Sequence, residues 1–423
     1  MDASSITRRQ WLYLAGAACT RAQGADISLH IGETTIDLGP KHSIRTVAYN
    51  GRVPGPLLRV KEGEPVTVDV TNETGEQELV HWHGLHIPAE VDGAHEEGTP
   101  HVPAHGNRSY TFTPTPSGTR WYHSHIMAGG NLRRATFSGQ FGMMIVEPRE
   151  NPARYDLDVP IMLHGWDGRV VDNEVEYKLF SINGKMLGAG EPVRVRAGQR
   201  ALFRIVNASA TMTHRLALTG HTIQIVAMDG NAVARPSGVR SIVLGPGERV
   251  DAIVELNNPG IWILGEVDDN RREAGMGIVI EYADQKGAPR WVRQPVEAFD
   301  YTAFGNSTNS PEPDDKIRLE FKAKGDRWVI NGKLNVKANR RYRLIFDNQS
   351  AMAHPVHLHR HTFELTRFDG QATTGVRKDV VIVPAWRQVE VDFLADQPGP
   401  SLFHCHNQRH MEMGFLTVMQ CEI

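Results

Sequence analysis

Three times in this chain a glycine-type turn is followed nine residues later by an asparagine, with alternating apolar residues between. Val60-Lys61-Glu62-Gly63 leads through Val66, Val68 and Val70 to Asn72. Val195-Arg196-Ala197-Gly198 leads through Leu202, Ile205 and Val206 to Asn207. Val336-Lys337-Ala338-Asn339 leads through Tyr342, Leu344 and Phe346 to Asn348. Asn-Gly pairs precede the copies, at Asn50-Gly51, Asn183-Gly184 and Asn331-Gly332. Period-two alternation puts every second side chain on one face of a strand, and Asn-Gly suits the two-residue turn between antiparallel strands. The copies recur about every 140 residues, so the 423 residues are predicted to form three consecutive small β-sandwiches.

The histidines show what the repeats carry. Cys405 lies between His404 and His406, and His410 follows five residues after it. Thiolate and imidazole are ligands for copper, zinc or iron. In a strand Cys405 faces one way while its flanking histidines face the other, so two metal sites can share this segment. Further clusters are His81-Trp82-His83, His123-Ser124-His125 and His354-Pro355-Val356-His357-Leu358-His359. One His-x-His pair alone would read as a surface strand or a satisfied core histidine; four clusters around an internal cysteine point to metal. Nine and eleven residues past Asn72 come His81 and His83; the same counts past Asn348 give His357 and His359. The first and third repeats therefore offer matching sets of four imidazoles for one cluster at their interface. In the second repeat, at a constant offset of 140, Ala217 and Thr219 occupy the places of His357 and His359. His214 and His221 are left without ligand partners and read as structural. Ser124 stands where Cys405 would be, so no thiolate site is expected in the first repeat.

This set of motifs resembles the multicopper oxidase family, over nearly the whole chain after the first two dozen residues. The resemblance implies cupredoxin-like Greek-key sandwiches at 26–148, 149–290 and 291–423, the middle one a copper-free spacer. It implies four copper ions: one type 1, one type 2 and a type 3 pair. By motif, His354, Cys405 and His410 would hold the type 1 copper, with the axial place ten residues after the cysteine taken by Phe415, which cannot coordinate. Met411 and Met413 lie near but outside that place, as packing or substrate-facing residues. His81 and His357 would hold type 2; His83, His123, His125, His359, His404 and His406 would hold type 3. Asp92 matches the family's acid near the cluster, as proton relay or as partner to a ligand histidine. Arg360 follows His359 where many relatives have glycine and is expected to narrow or charge the edge of the site, with His361 turned away.

The implied activity is laccase-like: phenolic or aromatic amine donors give up electrons singly, and four electrons reduce O2 to water. A cuprous or ferrous oxidase is the alternative, which the scattered distribution of the 13 methionines disfavours. A scaffold protein stripped of its metals would not keep every ligand, and a copper nitrite reductase would lack the eight-histidine cluster. The net charge of -3 indicates no nucleic-acid or anionic-membrane surface, and no apolar run approaches a spanning helix. One chain supplies both halves of the cluster, so a monomer is expected. With Cys405 a ligand, only Cys19 and Cys421 remain, which excludes a disulfide framework. Residues 1–25, with Thr7-Arg8-Arg9-Gln10-Trp11-Leu12 and the apolar stretch to Cys19, resemble a twin-arginine export signal to the periplasm or beyond.

Overall fold

The computed structural model describes residues 25–150, 154–293 and 299–423, so the twin-arginine-like segment and Cys19 lie outside the described residues. The architecture is all-β, in six sheets that make three two-sheet sandwiches. The first has strands between Ile27 and Glu147, the second between Leu157 and Tyr282, the third between Asp315 and Glu422. No described helix is long and apolar enough to cross a membrane.

The repeated asparagine is a corner post. Strand Val66–Asn72 alternates buried and half-buried positions, as its valines require, and ends at a side chain that ties down the following loop. Asn72 Nδ2 donates to the carbonyls of Glu76 and Pro103. Asn207 Nδ2 donates to Met212 and Leu244, and Asn348 Nδ2 to Met352 and Pro384. Each Oδ1 accepts the backbone N–H two residues on, at Thr74, Ser209 and Ser350. These bonds satisfy loop carbonyls, that of Leu244 buried and the others part-buried, and aim the next strand, which in the first and third sandwiches carries the histidine pair. The turn nine residues earlier is left-handed each time (φ 78° at Gly63, 85° at Gly198, 61° at Asn339), and asparagine tolerates that region well enough to replace glycine. Asn207→Ala should take this donor from the buried Leu244 carbonyl and the part-buried Met212 carbonyl and lower stability by about 2 kcal/mol. The check is the urea midpoint of the variant beside wild type; an unmoved midpoint would deny the post its role.

Two of the Asn-Gly pairs are tight turns with both residues left-handed, at Asn50-Gly51 and Asn183-Gly184. The third differs. Asn331 ends the strand Arg327–Asn331 in an ordinary conformation, and only Gly332 has a positive φ, 134°, where a Cβ would lie 2.4 Å from the Arg318 carbonyl oxygen.

The second sandwich joins the other two. Its Met162, Trp166 and Val206 pack on Trp121, Phe141 and Met143 of the first, and its core runs without a break into that of the third. Burial on both faces explains why the strand Arg200–Asn207 carries the adjacent apolar pairs Leu202-Phe203 and Ile205-Val206 rather than strict alternation.

Candidate metal centre

Strand register assembles the histidines. In the first sandwich Val80–His83 pairs antiparallel with Gly118–Ser124, which sets His81 opposite His123 and Val80 opposite Ser124. In the third, His354–Leu358 pairs with Gly399–Cys405, which sets His357 opposite His404 and Val356 opposite Cys405. The two registers are equivalent, and Ser124 does occupy the place of Cys405. Alternation along His354–Leu358 sends His354 to the face of Cys405 and His357 to the other.

On the other face, eight buried imidazoles gather between the first and third sandwiches. The rings of His83, His123 and His406 form one triangle, with centroids 5.6, 5.1 and 5.2 Å apart. His125, His359 and His404 form a second, at 4.9, 5.2 and 5.1 Å. His81 and His357 complete the set, 5.7 Å from each other.

The ring nitrogens show which way each imidazole is aimed. Nε2 of His81, His123, His125, His357 and His406, and Nδ1 of His83, are buried with no hydrogen-bond partner. Nε2 of His359 and His404 face each other at 3.1 Å. The opposite nitrogens are anchored: His81 on Asp92 O, His123 on Ser124 O, His357 on Asp379 O and His404 on Cys405 O, at 2.7–3.0 Å. Buried unpartnered polar atoms are costly unless something absent from the polypeptide takes them up, and an anchored imidazole aiming its free nitrogen inward is the arrangement of a metal ligand. Burial, reinforced by mutual repulsion, holds His83, His123, His125, His359, His404 and His406 well below the usual imidazole pKa range. Burial also takes His357 to about 4. These rings are neutral at neutral pH, the form that donates a lone pair to a metal.

On the cysteine face, Cys405 Sγ lies 3.7 Å from His354 Nδ1 and 3.6 Å from His410 Nδ1, and those nitrogens lie 3.1 Å apart. The thiolate-imidazole trio is fully buried. His354 Nε2 is held by Ser350 Oγ at 3.0 Å. Burial lowers His354 to about 2 and pushes the Cys405 thiol up, and a bound metal would take the place of the proton on sulfur. Strand Gly399–Cys405 stops at the cysteine, and His406 lies just past its end. Phe415 packs its ring 4.7 Å from that of His354, and its carbonyl accepts the Cys405 N–H. Met411 is buried and Met413 half-buried. Phe415→Met is expected to add a weak sulfur donor and lower the potential of a copper held here. For a one-electron couple each ~59 mV is tenfold in the transfer equilibrium, so oxidation of poorly reducing phenols should fall most. Redox titration checks this; a potential that stays or rises would move attention to Met413.

In the second sandwich the two histidines have partners of their own. His214 is satisfied by Glu266 Oε2 at 3.0 Å and Ser209 Oγ at 2.9 Å, and His221 by the Tyr282 hydroxyl at 2.6 Å.

Family profiles described as multicopper oxidase match residues 30–151, 170–278 and 298–422. The chain belongs to the multicopper oxidase family. A relative by sequence is the multicopper oxidase MmcO of Mycobacterium tuberculosis, 29% identical over 437 residues that cover 90% of this chain and 84% of the relative. Laccase-2 of Fomitopsis schrenkii is 25% identical, over 95% of this chain and 91% of its own. The crystal structure of a multi-copper oxidase from Pseudomonas thermotolerans superposes with a TM-score of 0.76 at 23% identity, over 94% of this chain and all of the other, which establishes the cupredoxin-like fold. As a multicopper oxidase the protein is a copper-dependent oxidoreductase that binds four copper ions, and the inward-facing nitrogens and the buried thiol suit that requirement.

Asp92 and three residues that the motifs did not reveal, Glu97, Asp379 and Trp328, complete the site. Asp92, anticipated from its place after His83, sets Oδ2 2.8 Å from His359 Nδ1 and 3.1 Å from His81 Nδ1. Beside it lies Glu97, 3.4 Å from His359 Nδ1, its pKa raised first by burial and then by the charge of Asp92. Asp379 accepts from His83 Nε2 at 3.1 Å. Trp328 packs on both His354 and His410. Arg360 does not line the cluster. Left-handed (φ 61°) and buried, it donates to the carbonyls of Ile87, Pro398 and Pro400, a staple between the first and third sandwiches. His361 packs on Phe393 and donates to the His359 carbonyl.

Proposed function

We propose that this multicopper oxidase couples the one-electron oxidation of phenolic and aromatic donors to the four-electron reduction of O2 to water. His354, Cys405 and His410 would hold the type 1 copper and His81 and His357 the type 2. The triangles His83-His123-His406 and His125-His359-His404 would each hold one ion of the type 3 pair. Copper, when bound, supplies one-electron acceptance at the thiolate site and O2 reduction at the cluster. Everything else is done by the polypeptide. Cys405 is bonded through backbone to His404 and His406, so the electron path between the two sites is a few covalent bonds long. Residues 1–25 are proposed to export the chain, and one chain suffices for both sites.

The observation that carries the donor assignment is Glu174. The second sandwich sends out a hairpin whose turn, Asp172-Asn173, has both residues left-handed. The next residue, Glu174, places Oε1 3.0 Å from His410 Nε2 and is 38% exposed on its side chain, whereas His410 is 1% exposed. A donor therefore meets His410 by way of a carboxylate open to solvent. That group can take the proton a phenol loses with its electron, which avoids a high-energy cation radical.

Glu174→Gln keeps the shape and removes the base. Phenol oxidation is expected to fall roughly 100-fold, within the usual range for a general base, while a donor with no proton to lose is oxidised as before. Steady-state rates under air with a phenol, Cu(I) and Fe(II) test the reading. Preference for either metal ion over the phenol, with Glu174→Gln weakening that ion's KM, would replace it with the metal-oxidase alternative.

A further inference from the structure

His83 is turned the other way from its neighbours. Among the cluster histidines it alone leaves Nδ1 inward and sends Nε2 outward. The anchors that serve His81, His123, His357 and His404 are backbone carbonyls near their own strands. For His83 the anchor is a carboxylate, Asp379 Oδ1, from the third sandwich. A carboxylate oxygen there only accepts, so Nε2 carries the proton and Nδ1 keeps its lone pair toward the cluster. Asp379 acts twice, because its backbone carbonyl also anchors His357.

Asp379 is itself clamped from the second sandwich. Arg249, fully buried at the start of the strand Arg249–Glu255, puts both terminal nitrogens on the Asp379 carboxylate, Nη1 on Oδ1 and Nη2 on Oδ2 at 2.6 Å. It also donates to the carbonyls of Gly247, Asp229 and Thr119, and its backbone N–H and Nη1 face the Asp229 carboxylate at 2.9 and 3.8 Å. Asp229 in turn accepts the backbone N–H groups of Asp379 and Val380. Only a planar guanidinium holds both oxygens at once; a lysine ammonium holds one point.

We infer that Arg249 is a positioning residue for the copper cluster: by clamping Asp379 it fixes the tautomer and aim of His83, so the second sandwich, which binds no copper, sets a ligand of the first. This rests on the proposed reading of His83 as a type 3 ligand. The test compares copper-loaded Arg249→Met, Arg249→Lys and Asp379→Asn with wild type and with Arg204→Met. Arg204 is a buried arginine of the same junction, bound to Asp158 and Thr119, that touches no ligand histidine. The expected result is a copper affinity at the cluster about 10–100-fold weaker in the first three variants, as for other outer partners of metal ligands. Copper per chain after chelator dialysis should fall, and the normally EPR-silent pair should show the signal of an uncoupled ion. The visible thiolate band stays, because His354, Cys405 and His410 lie on the other face. Arg249→Lys should lie between wild type and Arg249→Met. The inference is overturned if Arg204→Met and Arg249→Met lose thermal stability and copper alike, or if Arg249→Lys and Asp379→Asn keep a silent pair. A wild type without a coupled pair would overturn the ligand assignment instead.

Discussion

Cys405→Ser is expected to turn the copper-loaded protein colourless and to bring donor oxidation down to background. Serine keeps the volume and the backbone of the Gly399–Cys405 strand but offers no thiolate, and thiolate-to-copper charge transfer is the source of an intense visible band. The strand carries His404 on its opposite face, and His404, like His357, is anchored through Nδ1 on backbone that the substitution does not touch. Copper should therefore fall by one ion per chain, with the coupled pair intact. Metal analysis, visible absorption and EPR on the same sample decide it. A wild type that is colourless with all four ions bound would refute the assignment of His354, Cys405 and His410.

What the sequence makes legible are the parts whose spacing is set by one strand or one turn. Alternation separates Cys405 from His404, the constant count after Asn72 and Asn348 equates two histidine pairs, and offset alignment exposes Ala217 and Thr219 as lost ligands. These relations are local in chain and in space. Glu174 is not legible, because an Asp-Asn turn shows that a hairpin exists without showing that its tip reaches His410 in another sandwich. Asp379 and His83 are 296 positions apart, and Arg249 and Asp379 are 130 apart. Such contacts depend on how three sandwiches dock, which is decided by the apolar faces around Trp121, Trp166 and Val206. The expectation for Arg360 went astray for the same reason: a cation after His359 reads as a charge at the site's edge until the carbonyls of Ile87, Pro398 and Pro400 are seen around it. The spacer reading of the second sandwich is likewise incomplete, since that sandwich delivers one carboxylate to His410 and one guanidinium to Asp379.

Asp92→Asn is expected to slow reduction of O2 by about 100-fold while reduction of the type 1 copper by donor keeps its rate, a loss of the size that removal of a general acid-base group produces. In the proposed reaction the two half-reactions differ in what they consume: only the reduction of O2 would take up four protons inside a buried site. Asp92 is fully buried, with Oδ2 on His359 and His81 and Oδ1 free of any hydrogen bond. Glu97, whose proton affinity burial and then the charge of Asp92 push well above the usual carboxylate range, lies on the same His359 nitrogen. The pair thus sets a carboxyl of raised proton affinity and a carboxylate with an unpartnered oxygen on the same His359 nitrogen. Asparagine can still accept from His359 through its amide oxygen, so the ring stays aimed, but it can neither take up nor pass on a proton. Stopped-flow traces of donor-driven reduction and O2-driven reoxidation separate the steps. Equal slowing of both, or of neither, would remove Asp92 from proton delivery, and loss of copper from the cluster would leave it only the anchoring of His359 and His81.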